Sequence, residues 1–301
     1  MINRIINRIN QLYKTINSSR FLSRSSEKRD ESLVKLVRNG WVNVPSLFNA
    51  NGGNIHSKEL RICSDNFKAA EGNYSWPVID ETLHKFLESK SLNKLLDDYF
   101  RLAYRGRPVL QIVPNIVITK PSISPEKFVH GKHGFPAVWH TDYPTEFTIH
   151  IPLSEIDNST PHTQYLETTH RMPASGAART MTDDEVSVEY AKKIKARCFS
   201  SVGDALLMDV TGVHKAQLNN KWRAMIQLKY TCGSDPLIFG DESRKLIEII
   251  KRLNNGSSEY KLLRDQMRKN LAYLEKAKFR REHKIIRDSA KTFLAYINYG
   301  I

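Results

Sequence analysis

Polar and apolar positions alternate most regularly across residues 223–230. Ala224, Ile226, Leu228 and Tyr230 fall on one side, and Arg223, Met225, Gln227 and Lys229 on the other. A period of two is that of a β-strand with unlike faces. Upstream, Ala205-Leu206-Leu207-Met208-Asp209-Val210 is a short, mostly apolar run opened by the turn-forming pair Gly203-Asp204. It predicts a strand entering a buried sheet, with His214 at its end or in the following turn.

The two ends of the chain follow a helical period instead. Ile2, Ile5, Ile6, Ile9, Leu12, Tyr13 and Ile16 gather into one stripe, with Arg4, Arg8, Gln11 and Lys14 away from it. Such a basic amphipathic helix either lies on an anionic membrane surface or docks its stripe on the protein's own sheet. Residues 18–26 then predict a polar linker. After Gly240, Leu246, Ile249, Ile250 and Leu253 share a face, Asn254-Asn255-Gly256 interrupts it, and a second stretch carries Leu263, Met267, Leu271 and Leu274. The organisation expected is therefore a helix and linker over 1–30, a central domain over 31–240, and a helical extension over 241–301. That extension would pack on the core or form a dimer contact.

Charge sharpens this division. The net charge is +14. The first 26 residues hold Arg4, Arg8, Lys14, Arg20 and Arg24 without an acid, and the segment after Gly240 is again basic, so the middle is nearly neutral. Basic ends favour anionic partners, but basic residues interleaved with aromatics are scarce, so nucleic acid is not an expected partner. Three widely spaced cysteines, Cys63, Cys198 and Cys232, form neither a disulfide framework nor a zinc knot and point to a reducing, cytoplasmic setting. No apolar run is long enough to span a bilayer, and the N-terminus lacks the form of a secretory signal, so membrane association would be peripheral and at the inner face.

The candidate chemistry lies in the middle. His140-Thr141-Asp142 on a strand would aim an imidazole and a carboxylate the same way, and His214 supplies a second imidazole from elsewhere. Two histidines and one carboxylate on one face of an octahedron leave positions open for reaction at a divalent metal. Arg223, on the strand after His214, is suited to clamp a carboxylate through two parallel hydrogen bonds. One His-X-Asp among ten histidines is a weak signal. The ordered series His-X-Asp, His, Arg is stronger.

These residues resemble the phytanoyl-CoA dioxygenase-like branch of the Fe(II)/2-oxoglutarate-dependent oxygenases. Residues 40–48 resemble its opening strand and 118–121 the strand before the metal motif. Residues 148–153 resemble a core strand, and 165–171 a segment ending in a histidine; Gly203-Asp204, His214, Asn219 and Arg223 follow in the family's order. Two departures stand out: Glu167-Thr168 replace the usual Pro-Gly, so the turn before His170 is expected to be built differently, and His150 stands where many relatives carry tryptophan.

The resemblance implies a mainly β core, a cupin-like jelly roll or double-stranded β-helix, with flanking α-helices. It implies iron on His140, Asp142 and His214 and 2-oxoglutarate on Arg223, with Thr148 and His150 on an inward strand face beside it. The implied reaction couples O2 and 2-oxoglutarate to hydroxylation of a C–H bond, releasing succinate and CO2; a carboxylate at Asp142 leaves no halide position. The substrate expected is an anionic small molecule or a membrane glycolipid, such as a sugar acid. Lys120, Lys132 and Tyr143 are further substrate candidates by position alone. His130, His133, His162 and His170 are expected to be structural or surface residues. The rival reading is a non-catalytic jelly roll that binds anionic membrane or nucleic acid through its basic ends.

Overall fold

The computed structural model describes residues 2–23, 30–51, 53, 74–77, 81–110, 115–119, 137–142, 145–172, 179–217, 219, 221 and 223–232. The expected extension over 241–301, Cys63, Lys120, His130, Lys132, His133 and Tyr143 lie outside them.

Two antiparallel sheets form the core. The larger has the order β1 (Trp41–Val44), β10 (Ala205–Met208), β6 (Phe147–Pro152), β12 (Arg223–Cys232), β4 (Asn115–Thr119), β2 (Tyr74–Pro77), with β3 (Pro108–Leu110) also paired to β12. The smaller runs β8 (Arg179–Met181), β5 (Trp139–Thr141), β11 (His214–Gln217), β7 (His162–Leu166), β9 (Lys195–Cys198). From β4 to β7 and again from β9 to β12, successive strands alternate between the sheets. This is the winding of a jelly roll, and the fold is the mainly β core expected.

The period of two assigns each face of the large sheet. Ala224, Ile226, Leu228 and Tyr230 of β12 join Phe147, Ile149 and Ile151 of β6 and Ala205 and Leu207 of β10 in one buried cluster. It is covered by α2 (Glu31–Asn39), the short helical turn α3 (Leu47–Ala50), α4 (Glu81–Leu87) and α5 (Lys90–Tyr104), through Leu36, Val37, Phe48, Phe86, Leu96 and Phe100. Each such side chain contributes roughly 1.5–3 kcal/mol on full burial. The opposite row, Leu206 and Met208 with Tyr165 and Cys198 of the small sheet, packs between the sheets. The outer face of the small sheet carries Trp139, Leu166 and Met181 beneath Val186 of α6 (Asp183–Glu189).

Local signals set the boundaries. Asp30 caps α2 by accepting from the Ser32 and Leu33 amides, and Gly40 ends it in the left-handed region at φ 89°. A Cβ at Gly40 would collide with the Tyr165 hydroxyl and the His170 ring. Asp204 fastens its turn to β1, accepting from Asn43 Nδ2 and the Ser46 amide at 2.8 Å each. Thr168, where the sequence departs from Pro-Gly, takes the left-handed conformation, at φ 69°, just before the short 3-10 helix at Thr169–Arg171. A threonine thus occupies a geometry that favours glycine, held by the Thr168 amide donating to Asn39 O at 3.1 Å and by Lys193 Nζ donating to its hydroxyl at 2.7 Å.

The N-terminal helix packs on the protein, but not by Leu12 and Ile16 of its stripe. Helix α1 (Ile2–Ser23) runs through much of the expected linker and packs on α5, α2 and the 3-10 helix. Among its described side chains, Phe21 and Leu22 pack against the core and Lys14 is 1% exposed and Ser18 2%, whereas Leu12 and Ile16 of the apolar stripe are 58% and 42% exposed. The cause is a buried partner, Asp209, whose carboxylate lies 2.5 Å from Lys14 Nζ. No helix among the described residues is long and apolar enough to cross a membrane.

Candidate metal centre

His140 and His214 are paired directly across β5 and β11, so their side chains leave the same face of the small sheet. Their ring centroids are 4.2 Å apart. His214 opens β11 rather than closing the preceding strand, because residues 209–213 form the turn between β10 and β11. Asp142 lies one residue past β5, and its amide donates to Val210 O at 2.9 Å, which ties it to the same turn.

Both histidines are oriented in one way. His140 Nδ1 donates to Val138 O and His214 Nδ1 to Gly212 O, each at 2.9 Å and each to the carbonyl two residues back. That hydrogen bond places the proton on Nδ1 and leaves the Nε2 lone pair open, the arrangement metal-bound histidines use. His140 Nε2 lies 3.6 Å from Asp142 Oδ1, and His214 Nε2 lies 3.9 Å from Asp142 Oδ2. One donor atom from each of the three residues falls within 4.8 Å of the others. Donors about 2.1 Å from a single ion lie roughly 3–4 Å apart, so the residues present fit a divalent metal.

Burial favours the neutral imidazoles that a metal needs. It pushes His140 down to about 4, helped by the neighbouring His214, and His214 down to about 4. Neither ring carries a proton charge at neutral pH. No other group of three or more histidine, cysteine or acidic side chains among the described residues is arranged to hold an ion.

The inward row of the large sheet faces this centre, its Lys229 charge acting on both His140 and His214. Along β6 and β12 the register pairs Thr148 with Lys229, His150 with Gln227 and Pro152 with Met225. By strand alternation Arg223 belongs to this row. The structure therefore places Thr148, His150 and Arg223 on one face, as the sequence predicts. Arg223 is buried, and burial lowers its guanidinium to about 10, so it stays charged at neutral pH. His150 is held well below the ordinary histidine range by burial and by the charges of Arg223 and Lys229 with His214 nearby. Its Nε2 accepts from the Gln227 amide at 3.2 Å.

Three residues beside this row were not named as site candidates by the sequence reading. Lys229 pairs with buried Glu146 at 2.9 Å, and its charge acts on His140, His150 and His214 alike. Gln227 orients His150. Lys229 and Gln227 share the Arg223 face in the period of two, a signal already present in the chain; Glu146 has no comparable signature.

Of the four histidines expected to be structural or surface residues, the two described ones, His162 and His170, are structural. His162 is buried on β7, bonds Thr160 O at 3.1 Å and meets the edge of Phe199. His170 is buried and donates from Nε2 to Val37 O at 3.2 Å. Asn219 donates to the carbonyls of Asn158 and Thr160 at 2.8 Å each, fastening a loop rather than facing the centre.

No protein-family model matches the chain, and no curated protein matches it. Among solved structures, the chain is similar to the non-heme alpha ketoglutarate dependent epimerase SnoN from nogalamycin biosynthesis, with 15% identity over 67% of this chain and 82% of that one and a TM-score of 0.47. It is similar to AviO1 from Streptomyces viridochromogenes Tue57, with 16% identity over 71% of this chain and 98% of that one and a TM-score of 0.42. It is also similar to iron-bound HygX from Streptomyces hygroscopicus, with 13% identity over 69% of this chain and 88% of that one and a TM-score of 0.42.

Proposed function

We propose that this chain is an Fe(II)/2-oxoglutarate-dependent oxygenase of the phytanoyl-CoA dioxygenase-like branch, which hydroxylates a C–H bond of an anionic substrate. The observation that carries the reading is the convergence of His140, Asp142 and His214 with both imidazole Nε2 atoms open. The branch rests on the ordered sequence blocks alone.

Iron bound here would supply oxygen activation, with 2-oxoglutarate and O2 consumed, succinate and CO2 released, and the second oxygen atom delivered to the substrate as a hydroxyl group. The chain's own residues supply orientation and exclusion of water. His140, Asp142 and His214 would hold the ion. Arg223 presents a buried, charged guanidinium for the distal carboxylate of 2-oxoglutarate, where burial strengthens the pairing. Thr148 and His150 line the same face, with His150 kept neutral so that it adds no charge. Lys229 and Glu146 form a compensated pair that sets the local field.

An anionic substrate is supported by the basic balance of the chain, a net charge of +14. Helix α1 supports a location at an anionic membrane surface, because Leu12 and Ile16 are exposed beside a sequence that carries Arg4, Arg8 and Arg20. A sugar acid of a membrane glycolipid is the kind of substrate this combination fits. The buried thiol Cys198 is in keeping with a reducing setting.

The test is an anaerobic titration of metal-free protein with Fe(II) and 2-oxoglutarate, following the visible charge-transfer band of the chelate. The band is expected in the wild type and absent in Asp142→Ala. Folded wild type that never develops it would move the non-catalytic binding module ahead. For the membrane location, co-sedimentation with phosphatidylglycerol vesicles is expected to fall sharply in Leu12→Glu/Ile16→Glu, and equal binding by both proteins would remove that part of the reading.

A further inference from the structure

We propose that Lys14 of α1 is a positioning residue for the His140–Asp142–His214 centre, acting through Asp209; this rests on the metal-centre reading above. Docking for stability alone selects apolar side chains, since a buried charge is costly unless paired. Yet α1 turns Leu12 and Ile16 outward and buries an ammonium group. The group is used: Lys14 Nζ meets Asp209 Oδ2 at 2.5 Å and donates to Thr211 Oγ1 at 2.9 Å and Tyr104 Oη at 3.0 Å.

Asp209 is the hub of the turn between β10 and β11. Its carboxylate accepts from Tyr99, from Tyr104 at 2.7 Å, and from the Thr211 hydroxyl and amide at 2.5 and 3.2 Å. Its main-chain carbonyl accepts from Tyr165 Oη at 2.7 Å and from the Gly212 amide at 3.1 Å, and its amide donates to Gly40 O at 2.8 Å.

Two of the three candidate ligands take their orientation from this turn. Val210 O receives the Asp142 amide and Gly212 O receives His214 Nδ1, while the Tyr165 ring lies stacked against His214 at 6.3 Å. Lys14 neutralises the one charge in the turn that has no access to water. Without it, a carboxylate in a dry setting would draw water or rotate outward and carry both carbonyls with it. His140, fixed by its own Val138 O, would be the least affected. Docking of α1 and geometry of the metal centre are thereby coupled.

The test uses the full chain and Co(II), whose visible absorption reports ligand geometry. Wild type is expected to bind one Co(II), and His140→Ala to lose it. Failure of the wild type to bind would remove the metal-centre reading, and this proposal with it. Given binding by the wild type, Lys14→Met that melts cooperatively is expected to hold Co(II) about tenfold or more weakly, with an altered spectrum, in line with loss of groups that orient ligands. Wild-type affinity and spectrum in folded Lys14→Met would overturn the proposal while leaving the metal centre intact. Should Lys14→Met not fold, Lys14→Met/Asp209→Asn, which removes both buried charges, carries the same measurement. A smaller loss is expected there, because the hydrogen bonds of Lys14 Nζ to Thr211 and Tyr104 are gone while no buried charge is left unpaired, and an unchanged affinity and spectrum would overturn the proposal.

Discussion

His140 and His214 stand opposite each other across β5 and β11, and each gives its Nδ1 proton to the carbonyl two residues before it. Neither imidazole needs a side chain elsewhere to set its tautomer. The orientation of both is written into main chain, so replacing either ring with alanine should abolish tight Fe(II) or Co(II) binding while the fold survives. Metal titration with a parallel thermal melt checks this, and full metal retention in either variant would break the assignment.

Arg223 offers a planar, bidentate partner where a lysine offers a point charge. Arg223→Lys is expected to leave metal affinity within about twofold and to raise the 2-oxoglutarate needed for half-saturation by about 1.4–3 kcal/mol, roughly 10- to 100-fold. An unchanged requirement would place the carboxylate clamp on another residue.

Lys229 and Glu146 oppose each other in their effect on the centre. Removing the cation with Lys229→Met should tighten divalent-metal binding by about fivefold, and Glu146→Gln, which leaves the cation uncompensated, should weaken it by a similar factor, corresponding to about 1 kcal/mol. Co(II) titrations of the two variants moving in the same direction would sink this account.

Acid should unfold the metal-free protein early. His140 and His214 are held down to about 4 and His170 to about 3, against an ordinary 6.5 in the unfolded chain. Below 6.5 the unfolded chain takes up protons that the folded one refuses, so stability is fully present above 6.5 and is lost as pH falls through 4 toward 3. Melting temperature is therefore expected to be level above pH 7 and to decline steadily from pH 6.5 to 4. A flat profile over that interval would show that these rings are not buried neutral.

Gly212 has no room for a side chain, because a Cβ there would strike the Tyr165 hydroxyl. Gly212→Ala must displace either Tyr165 or the carbonyl that orients His214. We expect a loss of about 1–3 kcal/mol in urea unfolding, together with weaker metal binding. A variant as stable as the wild type with unaltered affinity would contradict the packing described for the turn.

The jelly-roll strands and the convergence of His140, Asp142 and His214 were legible because strands declare themselves by a period of two, and that period also tells which residues share a face. Arg223, Thr148 and His150 fell onto one row for the same reason. The orientation of α1 was not legible. Its apolar stripe suits either a membrane surface or the protein's own sheet, and only a partner far away in the chain, Asp209, shows why the side with Lys14 turns inward. A long-range ion pair leaves no local trace in composition or periodicity. Lys229 shows the intermediate case: its face could be read from the strand, but its bearing on the centre needed the cross-strand neighbour Thr148 and the acid Glu146. Thr168 is a third kind, since a threonine in the left-handed region looks unremarkable until φ is known.

The strand order has a last consequence. His140 and Asp142 belong to the first half of the winding and His214 to the second, with β6 through β10 lying between them in the chain. An ion held by all three is therefore a cross-link that closes a long loop, and it gains from the unfolded state's lost freedom as a disulfide across the same span would. On the proposed reading, metal supply would then be a determinant of protein lifetime as well as of turnover: chains without the ion would open more often, and present more of themselves to proteases, than chains that hold it.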